Sequence, residues 1–100
     1  MTDWQKEKVK EIAYHYGATS QKEKTVEECA ELILAIKKHD AVNEASGQGI
    51  MKSLCDIASE IADVMIMCEQ LSYLYGIEEI VKEQIDFKIS RQLDRMEKGE

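Results

Sequence analysis

Proline is absent from this 100-residue chain. Proline chiefly interrupts helices, so its absence suits a chain that is helical almost throughout, with short loops. A basic excess is also missing: 20 acidic residues outnumber 13 basic ones, for a net charge of −7. A nucleic-acid polymer binder usually carries the opposite balance, so no such polymer is expected as a partner. A small polyanion remains admissible if a cation stands between it and the acidic protein. No apolar run approaches the ~20 residues needed to span a bilayer. Residues 1–10 are charged and hold no apolar signal core. The expectation is a cytoplasmic protein with no membrane partner. Cysteine is sparse, and Cys29, Cys55 and Cys68 form no CxxC pair. They are read as buried free thiols in a reducing compartment, since no pair has zinc-ligand spacing. The glycines fit no phosphate-cradling loop.

What is present is a globular balance, 44% hydrophobic and 33% charged, in a length that fits one domain over residues 1–100. Four helices are expected. Asp3 caps the first, which runs to about Tyr16 and stops at Gly17. Ser20-Gln21-Lys22-Glu23 reads as a capping box for the second, which runs to about Asp40. Its apolar stripe is Val26, Cys29, Ile33 and Ile36. Asn43 to Gly49 is the one clear loop. The third helix runs from about Ile50 to Tyr75 and is stopped by Gly76, with Ile77 as the following hydrophobic contact. The fourth runs from about Glu78 to Lys98.

The third helix is the most informative. Ile50, Leu54, Ile57, Ile61, Val64, Cys68, Leu71 and Tyr75 follow steps of four and three, a heptad-like seam. A second face carries Cys55, Ala58, Ala62, Met65 and Ile66. The remaining polar sector is narrow and holds Lys52, Asp56, Glu60, Asp63 and Gln70. A helix apolar on most sides is buried on several sides. About 26 helical residues span ~39 Å, whereas a compact chain of this size has a radius of gyration of only ~13 Å. The expected architecture is therefore all-α, a four-helix bundle-like core completed by homo-oligomerisation, as a homodimer or homotetramer.

Two carboxylate pairs stand out. Glu28-Cys29-Ala30-Glu31 and Glu60-Ile61-Ala62-Asp63 each set two acids three residues apart. Residues at i and i+3 project from one helix face, with Cβ atoms ~5–6 Å apart. Two such helices side by side would gather four carboxylates, whose repulsion must be relieved by protons or by a cation. A hard divalent cation such as Mg²⁺ takes oxygen ligands and completes its shell with water and phosphate. A di-iron bundle would require Glu-x-x-His pairs, and neither His15 nor His39 follows a glutamate by three.

The run Glu27-Glu28-Cys29-Ala30-Glu31-Leu32, followed by Glu60-Ile61-Ala62-Asp63 with 28 residues between Glu31 and Glu60, resembles the EExxE…ExxD signature of MazG-like nucleoside triphosphate pyrophosphohydrolases. Tyr16-Gly17, Gln21 and Lys24 look like the segment that precedes the motif in small members of that family. Lys88, Arg91, Gln92 and Arg95 look like its basic cluster on the last helix. Asp86 is a departure, since relatives often carry asparagine there. The resemblance implies that Glu28, Glu31, Glu60 and Asp63 bind Mg²⁺, with Mn²⁺ as a substitute. It implies hydrolysis of an NTP or dNTP to the monophosphate and pyrophosphate, a house-cleaning reaction on the nucleotide pool.

Glu28 or Glu31 is the candidate to orient or deprotonate the attacking water, with base and ligand roles not separable from the sequence. Glu27 lies toward the outer side of its helix, as a supporting or solvated residue. Lys88, Arg91 and Arg95 share one face of the fourth helix, where they could clamp phosphate oxygens, and Lys24 could assist. Two other readings stand beside this one. One is hydrolysis of a phosphoribosyl-nucleotide. The other is a non-catalytic helical interaction module, which accounts for the apolar third helix but not for two acidic pairs of like spacing.

Overall fold

A computed structural model describes residues 1–42 and 47–100 of the chain, with Gln48 described by its backbone only. The protein is all-α. Its helices are α1 (Asp3–Tyr16), α2 (Ala18–Asp40), α3 (Gly47–Leu74) and α4 (Glu78–Glu97), and no strand occurs among the described residues.

Helix ends follow from a few residues. Thr2, not Asp3, caps α1. Gln5 N–H donates to Thr2 Oγ1 at 3.1 Å and Thr2 N–H donates to Gln5 Oε1 at 2.8 Å, a reciprocal capping box. Asp3 is instead the first helical residue, where its charge meets the positive helix end. Gly17, at φ 87°, ends α1 and also precedes the first residue of α2. One residue thus separates two helices, in a conformation that glycine adopts without steric cost. As a result α2 begins at Ala18, and the expected capping box at Ser20–Glu23 lies inside its first turns and caps nothing. The expected loop over Asn43–Gly49 divides in two: Asn43–Ser46 lie outside the described residues, while Gly47–Gly49 already belong to α3. The far end of α3 closes as expected on Gly76, at φ 65°. Gly76 N–H donates to Tyr73 O at 3.1 Å and Ile77 N–H to Ser72 O at 2.9 Å, the paired bonds of a Schellman end.

The main packing is α2 against α3, which run antiparallel: Gln21 meets Gln70, and His39 meets Ser53. α1 packs chiefly on α3 and buries Val9 and Ala13. α4 packs on α3, with its first residue, Glu78, 3.8 Å from the Lys10 ammonium of α1, and buries no residue.

The face that α2 turns inward is not its apolar stripe. Gln21, Thr25, Glu28 and Ala35 are buried, whereas Val26 and Ile33 stand 65% and 61% exposed, with Cys29 and Ile36 also outside. The polar sector of α3 answers in kind. Gln70 is the most buried large side chain, only 2% exposed, and accepts a 2.7 Å hydrogen bond from Gln21 Nε2. Thr25 Oγ1 donates to Gln21 O at 2.7 Å. The three cysteines, expected inside, are free and exposed on the single chain. Cys29 and Cys68 belong to the same outward apolar stripes as Val26 and Ile61.

The buried apolar side chains are only Val9, Ala13, Ala35 and Met67 among the described residues. The accessible surface is 7741 Å², against about 5,800 Å² for a folded monomer of this mass. The radius of gyration is 16.9 Å, against about 13 Å for a compact chain of this length. No helix among the described residues is long and apolar enough to cross a membrane.

The Gln21–Gln70 bond gives a direct test of the polar interface. Gln70→Leu leaves the buried Gln21 amide unpaired and should cost about 1–3 kcal/mol. Adding Gln21→Leu should recover a large part of that loss. Urea unfolding of the two single variants and the double variant measures the coupling.

Candidate metal centre

Two turns along α2 from Gln21, and two turns back along α3 from Gln70, the same interface turns acidic. Glu28 lies seven residues after Gln21, and Asp63 seven residues before Gln70. Seven residues are close to two helical turns, so each pair occupies one face. Packing the two faces together brings Glu28, Glu60 and Asp63 to one point. A carboxylate oxygen from each lies within 4.8 Å of the others.

One member sets this cluster apart from a surface acidic patch: Glu28 is buried, beside a half-buried Glu60 and an Asp63 nearer solvent. Glu28 is only 7% exposed. Its Oε1 faces Lys24 Nζ at 3.1 Å, while its Oε2 is buried without a hydrogen-bond partner. Glu60 Oε2 is likewise buried and unpartnered. Unpaired buried carboxylate oxygens are costly and are normally satisfied by a proton, a donor or a cation. The Glu60 carboxyl is accordingly pushed above the ordinary carboxylate range. Loss of water around it is the largest cause, followed by the negative charges of Glu31, Glu28 and Asp63 and by side-chain hydrogen bonding with Glu28, which a proton held between the two carboxylates would make.

The donor set fits a hard divalent cation. All three ligating groups are carboxylates on two packed helices, with neither histidine nor cysteine among them. The two orphaned oxygens are what such an ion would satisfy.

The other sequence-expected residues fall into place around this group, or away from it. Glu31 lies outside the three-carboxylate cluster and is exposed, yet near enough for Glu60 to feel its charge. Glu27 is exposed, with Oε2 3.8 Å from Lys24 Nζ. Lys24 is therefore already engaged, at the edge of the acidic cluster. It also borders a shallow hollow lined by Tyr16, Ser20, Gln21, Glu23 and Glu27.

Lys88, Arg91 and Arg95 are not brought to the cluster. They lie exposed on α4, which makes no contact with α2 among the described residues. Arg91 stacks over its own neighbour Phe87, 5.5 Å from the ring centre. The buried Gln21–Gln70 pair is a feature that apolar periodicity passes over. Its seven-residue offset from Glu28 and Asp63 is the signal that places all four on one polar row.

The chain matches no protein-family model, no curated protein and no solved structure.

The raised Glu60 carboxyl fixes the sign of a pH effect. Folded Glu60 holds its proton more tightly than the unfolded chain does. Its contribution to stability is therefore complete at pH below the ordinary carboxylate range and is lost as pH rises through the raised range. In chelator, melting temperature should fall across that window, and Glu60→Gln should flatten the fall. Melting curves of both proteins from pH 4 to pH 8 (about 0.5-unit steps, spanning ordinary and raised carboxylates) provide the measurement.

Proposed function

We propose that the protein is a Mg²⁺-dependent hydrolase that cleaves a nucleoside triphosphate to the monophosphate and pyrophosphate, in the manner of the MazG-like enzymes its motifs resemble. The observation that carries this reading is the pair of buried, unpartnered oxygens on Glu28 and Glu60, with Asp63 beside them. A cluster that merely decorated a helix face would be solvated. Here Glu28 is buried between two helices and Glu60 is half-buried, and the single ammonium of Lys24 stands against three carboxylates.

Glu28, Glu60 and Asp63 would hold the ion, and Mn²⁺, with a similar taste for oxygen, would replace Mg²⁺. When bound, the metal supplies charge neutralisation for the phosphate oxygens of the substrate. Glu31 is adjacent to the cluster but not part of it. Its position supports giving it the attacking water, which it would orient and relieve of a proton as the water oxygen approaches phosphorus. Water and the triphosphate then yield the monophosphate and pyrophosphate. Positioning and electrostatics carry such a reaction, since phosphoryl transfer needs little covalent work from the protein. Lys24, Lys88, Arg91 and Arg95 are the candidate partners for phosphate oxygens. The three on α4 have no ion-pair partner among the described residues, which leaves their charges free for a ligand.

The working form in this reading is a homo-oligomer in the cytoplasm. Roughly 2,000 Å² of surface beyond that of a compact monomer is, per chain, what a large obligate homodimer interface of about 4,000 Å² in total buries. The outward apolar residues of α2, α3 and α4 supply that surface: Val26 and Ile33, Leu54 and Ile61, Ile89 and Leu93.

Pyrophosphate release from a panel of NTPs and dNTPs tests the reaction. Release should require Mg²⁺ or Mn²⁺ and should fall by more than about 100-fold in Glu60→Gln, since even residues one shell further out cost 10–100-fold. Sedimentation should give at least twice the mass of one chain. Folded protein that releases pyrophosphate from no member of the panel would sink the reading.

A further inference from the structure

Lys24 precedes Glu28 by four residues, in the second turn of α2. In that order a lysine–acid pair is the weaker one on a helix, as it is for Lys52 and Asp56 on α3. The pair is also lopsided: the lysine side chain is 52% exposed, and that of Glu28 only 10%. Its ammonium reaches Oε1 of Glu28 at 3.1 Å, leaving Oε2 unpartnered in the cluster. A second seat is at hand on Glu27, 3.8 Å away and open to solvent.

We propose that Lys24 is a displaceable counter-ion of the acidic centre, holding Glu28 in the metal-free protein and opposing a divalent cation until a phosphate ligand draws the ammonium away. The inference rests on the metal-centre reading above. A single positive charge beside Glu28 acts in two directions. It offsets carboxylate repulsion while the site holds no cation, and it repels a dication arriving at the same carboxylate. The flexible stem lets the ammonium swing toward Glu27 and the solvent-facing hollow beside Tyr16 and Gln21. A phosphate chain entering with the cation would offer that ammonium new oxygens. The cation alone is then held weakly, and cation plus phosphate are held together. Lys24 is thus a positioning residue that couples metal affinity to the presence of substrate.

Calorimetric titration of the full-length protein in its native oligomeric state tests this, with Mg²⁺ alone and then inorganic pyrophosphate at saturating Mg²⁺. Lys24→Gln should bind Mg²⁺ alone at least about fivefold more tightly than the parent protein, the least that removing one nearby charge allows. It should bind Mg²⁺–pyrophosphate more weakly. Lys24→Arg, which keeps the charge, should behave like the parent. Lys52→Gln removes a matched lysine, paired with Asp56 at 2.8 Å four residues on, and should leave both affinities unchanged. Lys24→Met serves if the glutamine variant does not fold, as judged by circular dichroism. Unchanged or weaker Mg²⁺ binding in the Lys24 variants overturns the counter-ion role and leaves the metal centre standing. Failure of the folded parent and variants alike to bind Mg²⁺ or Mn²⁺ overturns both.

Discussion

The fold turns on the placing of Glu28, buried, and Glu60, half-buried with its Oε2 out of solvent, between α2 and α3. Two charged groups at the centre of the largest helix–helix contact dictate what can surround them. Apolar neighbours there would leave the carboxylates without water or partners, so the row on either side is polar as well: Gln21, Thr25 and Gln70 toward one end, His39 and Ser53 toward the other. Each of these finds a hydrogen-bond partner. Gln21 reaches Gln70, Thr25 reaches a backbone carbonyl, and Ser53 Oγ donates to Ile50 O at 2.9 Å while lying 2.7 Å from His39 Nδ1. Only the carboxylate oxygens at the middle are left over. A row that is satisfied at both ends and open at its centre has the shape of a site, not of a packing defect.

That arrangement has a consequence for the rest of the molecule. The largest interface is α2 against α3, where the buried residues are mostly polar, with Ala35 and Met67 among them. The apolar residues of α2 and α3 are displaced to the outside, where Val26, Ile33, Leu54 and Ile61 remain exposed. Hydrophobic burial is the main favourable term in folding, and four buried apolar residues, two of them alanine, supply little of it. The proposed homo-oligomer would supply the missing burial from another surface. α4 follows the same logic: it leaves Ile85, Ile89, Leu93 and Met96 more than half exposed along one face at helical spacing.

This explains which parts of the molecule are legible in the sequence. Helix number and the stops at Gly17 and Gly76 are local properties, and the glycines at φ 87° and 65° bear them out. The meeting of Glu28 with Glu60 and Asp63 is legible too, because i, i+3 spacing fixes which acids share a face. The inward face of α2 is not. Hydrophobic periodicity identifies the residues that gain from burial but not the surface that buries them, so Val26, Ile33 and Cys29 read as core although they lie outside on the single chain. The Ser20–Glu23 capping pattern misleads for a different reason. Gly17 already serves as the end of one helix and the start of the next, so the cap position is taken three residues early. Glu31 shares a face with Glu28 by spacing, yet it falls outside the cluster, because spacing along one helix does not set the distance to the next.

The polar interface and the outward apolar faces therefore depend on one another. Carboxylates are useful to a divalent ion only if they are held close against their own repulsion. The holding force cannot come from the row that contains them, whose hydrogen bonds contribute about 1 kcal/mol each. It has to come from apolar contact elsewhere on the same two helices. The exposed stripes of α2 and α3 lie on the backs of the helices that carry Glu28 and Glu60, so covering those stripes would clamp the two helices together at the level of the acids. A cation entering the cluster would pull on the same contact from the inside, by removing the repulsion between the two helices. Association and ion binding would thus both favour one state, the closely packed α2–α3 pair, and anything that binds that state alone stabilises it. In the proposed reading the acids and the apolar backs of these helices would act together, one drawing the two helices in and the other holding them there.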